Sequence, residues 1–169
     1  MTSNRNWHVI SVKENYEKKV TGYLSRKNIE TYLPLNKTTA RNRYGTLSNV
    51  QVPLFPSLIF AHLSEQEVNI VKQIDGVLHF LYWKSGYAIV SREDIRMIRD
   101  FCGEYDTMWL EKCAVLPAER VDSDLPAGSK KIVFQSKNKS VTGIVLTTLG
   151  YMLAAFTQEE KVGLLHHAI

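Results

Sequence analysis

Only two of the 169 residues are cysteine, Cys102 and Cys113. So few cannot build a disulfide framework, and their scarcity suits a reducing cytosol. No run of about 18 apolar residues occurs, so neither a bilayer span nor a membrane partner is expected. The opening stretch MTSNRNWHVISVKE shows no apolar run of signal-peptide length before its charges. A cytoplasmic location is the resulting expectation. The phosphate-cradling patterns GxGxxG and GxxxxGK(S/T) are missing, and so are GxSxG and HExxH. Cys102 and Cys113 lack a second close pair. Adjacent residues on a strand point to opposite faces, so His166 and His167 make poor co-ligands. No catalytic set, metal site or cofactor is therefore expected, and the chain reads as a protein that is not an enzyme. What it does not lack is apolar residues, at 44% against 22% charged. That balance supports one compact domain or two small ones with a core of their own.

Charge is unevenly spread. Residues 1–60 hold nine basic and three acidic residues, whereas residues 101–128 hold two and six. A basic N-terminal third fits a phosphate-bearing partner, and it equally fits a solvated lysine-rich surface. The acidic stretch also contains Pro117, Pro126 and Gly128 and interrupts the pattern on either side. It reads as a linker with a short helix around Met108 to Cys113.

Periodicity places the elements. Trp7 to Val12 alternates like a strand. Asn15 is placed as the cap of a helix whose residues Tyr16, Val20, Tyr23 and Leu24 form an amphipathic stripe, ending near Lys27-Asn28. Thr31 to Leu35 reads as a strand kept to an edge by Pro34, followed by a polar hairpin tip or loop over 36–49. Gln51 to Leu63 is a strand region broken by Pro53 and Pro56. Ser64 with Glu67 forms a capping-box pattern before a helix over Glu65 to Ile74. Asp75-Gly76 turns the chain into strands at Val77–Trp83 and Tyr87–Val90. Ser91 and Asp94 open a third helix over Arg92 to Cys102. Four short β-rich runs follow, Lys131–Gln135, Ser140–Thr147, Tyr151–Phe156 and Lys161–Leu165, at the spacing of a small barrel.

Five separated blocks over residues 7–102 resemble one family. They are Trp7-His8-Val9, Glu17-Lys18-Lys19-Val20, Tyr32-Leu33-Pro34, Pro53-Leu54-Phe55-Pro56-Ser57-Leu58-Ile59-Phe60, and Asp75-Gly76-Val77 leading to the third helix. In this order and spacing they are similar to the N-terminal domain of NusG-type transcription factors. Val141-Thr142-Gly143-Ile144-Val145 and Leu149-Gly150 are similar to its C-terminal KOW module, although Ser136-Lys137-Asn138-Lys139 replaces the usual Gly-Pro. Length and the PLFP block look most like the specialised RfaH and UpxY-type paralogues. The implied fold is α+β: an antiparallel sheet with flanking helices over 1–106, an acidic linker over 107–128, and a small KOW/SH3-like β-barrel over 129–169.

The resemblance implies a transcription antitermination or elongation factor that binds RNA polymerase, as in operons for capsular polysaccharide. General coupling of polymerase to Rho or the ribosome through the C-terminal module, and a KOW-type RNA-binding module, are the alternative readings. The implied contact with the polymerase clamp helices falls on Phe55, Pro56, Leu58 and Phe60. Strand alternation divides these positions, and Leu58 with Phe60 is placed as the exposed set. The implied contact with the non-template DNA strand falls on Lys13, Lys19, Tyr23, Arg26 and Lys27. Independently, Lys19, Tyr23 and Arg26 share one helix face, where cations flanking an aromatic suit single-stranded nucleic acid. Arg41 and Arg43 in the polar loop are placed against duplex phosphates. The threonine-rich segment that RfaH carries on its second helix has no counterpart in Glu67-Val68-Asn69-Ile70.

Overall fold

The computed structural model describes residues 4–112, 130–136, 139–146 and 148–157. Cys113, most of the acidic segment, the strand read at Lys161–Leu165 and the His166-His167 pair lie outside the described residues. The described residues form an α+β fold, with antiparallel sheets and three helices.

The first sheet takes β1 (Asn6–Val12), β2 (Glu30–Tyr32), β5 (Leu58–Leu63) and β6 (Val77–Phe80) in the order β2-β5-β1-β6, and β9 (Ile89–Val90) also pairs with β1. Alternation along β5 divides its side chains between two apolar clusters. Ile59, Ala61 and Leu63 pack with Val20 and Leu24 of α1 (Glu17–Arg26) and with Val68 and Val71 of α2 (Glu65–Val71). Phe60, with Leu58 at the margin, packs with Ile95, Ile98 and Phe101 of α3 (Arg92–Glu104). The helices therefore lie on both faces of the sheet.

Local chemistry explains most boundaries. The expected capping box before α2 is present: the Ser64 hydroxyl accepts from the Glu67 N–H, and the Glu67 carboxylate accepts from the Ser64 N–H. Ser91 caps α3 by accepting from the Asp94 N–H at 3.0 Å. Asn15 is not the cap of α1. Tyr16 occupies that position without a side-chain bond, and Asn15 sits at φ 64, a left-handed turn that asparagine tolerates. Asn28 does the same at the other end, with φ 59.

The polar stretch after Pro34 is more ordered than a loop. β3 (Leu35–Arg41) and β4 (Leu47–Pro53) form a separate two-stranded ribbon. Its turn is closed by the Asn42 side chain, which accepts from the N–H groups of Tyr44 and Thr46 at 2.9 and 3.0 Å. The strand expected over Val77–Trp83 instead breaks at Leu81. β7 (Tyr82–Trp83) and β8 (Gly86–Tyr87) form their own small hairpin, turned at Lys84 with φ 56.

The second sheet runs β10-β13-β12-β11, from β10 (Trp109–Lys112), β11 (Lys130–Ser136), β12 (Lys139–Leu146) and β13 (Tyr151–Phe156). Trp109–Lys112 is thus extended, not helical. Its backbone bonds go to β13, a tertiary pairing that local pattern does not encode. Alternation gives this sheet two apolar faces. Val141, Val145, Met152 and Ala154 form a small cluster with Trp109. Ile144, Leu146, Leu153 and Ala155 point the other way, into the same cluster as Phe60 and α3. The two sheets therefore share one core.

One buried titratable group makes stability pH-dependent. His8 on β1 is 5% exposed, with the rings of Phe80 and Tyr87 edge-on to it at 5.7 and 5.6 Å. Burial, and secondarily His62, holds its imidazole below the ordinary 6.5. The unfolded chain therefore takes up a proton first as pH falls. The contribution of His8 is whole above pH 6.5, declines below it, and levels off once the folded imidazole also protonates. His8→Phe should flatten this part of the profile, as measured by urea unfolding at about pH 5.5 and 7.5. An unchanged slope would exclude His8 as its source.

Candidate functional site

The chain presents two surfaces of different chemistry on opposite sides of the first sheet. One is built around the turn that enters β5. Leu54 and Phe55 are buried, Pro56 is exposed, Leu58 is partly buried and Phe60 is wholly buried. The expectation that Leu58 and Phe60 form an exposed pair therefore holds in part for Leu58 and fails for Phe60. Phe60 points toward α3. Phe55 packs edge-on to it at 5.5 Å, the Tyr32 ring lies tilted by 30° at 6.2 Å, and Ile144, Leu146, Leu153 and Ala155 of the second sheet complete the same cluster. What reaches the surface here is Pro56 and the edge of Leu58.

Beside this cluster, burial and then the Cys102 thiol push the Tyr32 hydroxyl far above its ordinary 10.0. Burial likewise raises the Cys102 thiol, which disfavours the thiolate form. The β3–β4 ribbon is fixed at its base. The Asn36 side chain donates to the Met108 carbonyl at 2.8 Å and accepts from the Met108 N–H at 3.2 Å. Lys37 pairs with Asp106.

The second surface lies along α1. A groove of about 490 Å³ runs between Lys19, Tyr23 and Arg26 of α1 with its C-cap Lys27, and Ile70, Gln73, Ile74 and Asp75, which end α2 and begin the next turn. Tyr23 belongs to this groove rather than to the core stripe, and its ring is 40% exposed. The Lys27 ammonium stands 5.2 Å and the Arg26 guanidinium 5.9 Å from its centroid. Such a ring, with cations in cation–π contact over it, combines an aromatic surface for a base with charge for a backbone.

Lys13 and Lys19 are brought together by a residue that the motif reading treated only as a turn. Asp75 accepts from both ammonium groups at 3.2 Å, and these contacts, Lys13 first, hold its carboxyl below the ordinary range. Lys19 also lies 4.4 Å from the Tyr16 ring centroid. Gly76 makes the close packing possible: it has φ 96, and a β-carbon there would come within 2.4 Å of Tyr16. Asp75, Gln73 and Ile70 were missed as groove residues because only the fold brings the end of α2 beside α1.

Arg41 and Arg43 are not part of this groove. They sit exposed at the far end of the ribbon, next to Tyr44, which is 86% exposed. No acidic residue occurs between Glu30 and Glu65, so the ribbon is purely basic. Lys18 links its base to α1 by donating to the Gln51 carbonyl at 3.2 Å. Among the described residues, no group of three or more His, Cys, Asp or Glu is placed to hold a metal ion. No described helix is long and apolar enough to cross a membrane.

Comparison with known proteins bears on residues 5–99, which match the family described as "Transcription termination factor nusG". A solved structure described as "Domain interaction in Thermotoga maritima NusG" is similar with a TM-score of 0.48 and 13% identity, over 90% of this chain and 93% of that one. No curated protein matches the sequence significantly.

Proposed function

Because the chain belongs to the NusG family of transcription factors, we propose that it acts as an antitermination factor of the specialised RfaH and UpxY type, in an operon such as one for capsular polysaccharide. In this reading residues 1–106 ride on RNA polymerase, and an acidic segment over 107–128 leads to a KOW-like barrel over 129–169. The turn Phe55-Pro56-Ser57-Leu58 meets the clamp helices. Pro56 and Leu58 supply the contact, while Phe55 and Phe60 stiffen it from below. A rigid proline gives apolar area at low entropy cost, as an interface anchor requires.

The groove along α1 follows the non-template DNA strand, with Tyr23 as a stacking platform and Arg26, Lys27, Lys13 and Lys19 as the cationic wall. Arg41 and Arg43 on the ribbon reach duplex phosphates. The C-terminal module contacts the ribosome or Rho. No covalent step is involved: apolar anchors hold the clamp closed while the basic helix engages the exposed strand.

The observation that carries this reading is the pairing of surfaces. One small sheet supports an apolar turn on one side and a groove combining cations with an exposed tyrosine on the other. The test is single-round transcription by bacterial RNA polymerase through a pause and an intrinsic terminator, with and without the full chain. Increased read-through that disappears with Leu58→Asp is expected. No effect on read-through, together with no binding to the elongation complex, would overturn the proposal. Salt-sensitive RNA binding in its place would favour the KOW-type RNA-binding reading.

A further inference from the structure

We propose that Glu17 is a positioning residue: it holds the turn carrying Pro56 and Leu58, the apolar surface, in register with α1, the helix that carries the basic groove. This rests on the assignment of those surfaces given above. Glu17 is the first residue of α1 and is 5% exposed, unusual burial for a carboxylate. Its Oε1 accepts the backbone N–H of Ser57 at 2.8 Å, a bond that spans 40 residues of sequence.

Ser57 needs that tether. Its φ of 60 lies in the left-handed region, where a β-carbon crowds the backbone. Glycine would occupy this position freely; serine must be held there. Two further backbone bonds fix the same turn. The Ser57 carbonyl accepts from the Val12 N–H at 2.9 Å, and the Leu58 N–H donates to the Phe55 carbonyl at 3.1 Å. Only the Ser57 N–H depends on a side chain. Pro56 and Leu58 flank that peptide directly, so their placement depends on Glu17.

The other end of the tether is the helix that carries Lys19, Tyr23, Arg26 and Lys27. The first turn of α1 lacks a side-chain cap, and the positive end of the helix favours a carboxylate there. One buried carboxylate thus sits at the positive end of the helix and bonds the strained turn.

The test uses the full chain and measures competitive binding to a reconstituted polymerase elongation complex. The variants are Glu17→Ala, Glu17→Gln, Glu17→Ala combined with Ser57→Gly, and Leu58→Asp as a control for the surface itself. Glu17→Ala should weaken binding about tenfold, because the turn loses its tether. Glu17→Gln retains an acceptor oxygen and should recover most of that loss. Ser57→Gly should rescue Glu17→Ala, because glycine holds the same φ untethered. Binding of the free protein to single-stranded DNA should stay within about twofold, since the groove residues lie further along α1.

If Glu17→Ala fails to fold, the Glu17→Gln variant decides. Loss of binding in folded Glu17→Gln, or no rescue by Ser57→Gly, overturns the tether. Unchanged binding by Glu17→Ala while Leu58→Asp loses it also overturns the tether and leaves the surface assignment standing. Retained binding by Leu58→Asp refutes the surface assignment instead.

Discussion

Phe60→Ala will destabilise the protein by about 3–5 kcal/mol, and Phe60→Asp will not give folded protein. Phe60 is wholly buried, with aromatic neighbours on two sides. Its removal leaves a cavity walled by Phe55, Tyr32 and α3, which cannot close without moving a sheet. The second sheet contributes Ile144, Leu146, Leu153 and Ala155 to the same cluster, so the loss should be felt across both sheets. Urea unfolding followed by tryptophan fluorescence measures this, because Trp7 belongs to the cluster and Trp109 packs against the other face of the second sheet. A cost under about 1.5 kcal/mol would mean that the site collapses freely, and the shared core would be refuted.

The same geometry decides how the apolar surface can be probed. A charge at Phe60 confounds folding with binding. A charge at Leu58, at the margin of the cluster, replaces only a partly solvated side chain. Leu58→Asp is therefore the substitution that separates loss of a partner from loss of the fold.

Much of this was legible along the chain, and the exceptions share a cause. Ser64 with Glu67, and Ser91 with Asp94, mark their helices because capping is chemistry between residues three apart. Alternation separated Ile59 from Leu58 and Phe60 correctly, since a strand's period is fixed by covalent geometry, but it also set Phe55 with Ile59, whereas Phe55 precedes the strand in the turn and packs with Phe60. It could not say that both sets are buried. That depends on α3 and on strands more than 80 residues further along the chain. Trp109–Lys112 was misread for the same reason: its extended form comes from β13. At Asn15 the residue type was informative but ambiguous, since asparagine suits both a helix cap and a left-handed turn.

The candidate groove shows the same division. Lys19, Tyr23 and Arg26 were placed on one face by helical spacing alone, and the structure sets them along one groove. Their counterpart across the groove was invisible, because four strands, β2 to β5, separate α1 from α2 along the chain. Asp75 matters most among the missed residues. It offsets part of the positive charge by engaging both Lys13 and Lys19.

That counter-ion gives the groove a signature with two opposite signs. Tyr23→Ala should weaken binding to single-stranded DNA by about 1–3 kcal/mol, because one stacked base loses its platform. Arg26→Ala or Lys27→Ala should weaken binding less, but should flatten its dependence on salt by about 0.7 in log–log slope each. Asp75→Asn should strengthen binding. It releases two ammonium groups from a carboxylate that competes with phosphate, and the salt dependence should steepen accordingly. Fluorescence anisotropy of a labelled oligonucleotide, titrated with the full chain at several salt concentrations, reads all of these effects. A surface that is merely solvated and lysine-rich would respond to Asp75→Asn but not to Tyr23→Ala, since loss of a ring changes no charge. Weakening at Tyr23 together with tightening at Asp75 requires a strand lying in the groove between them.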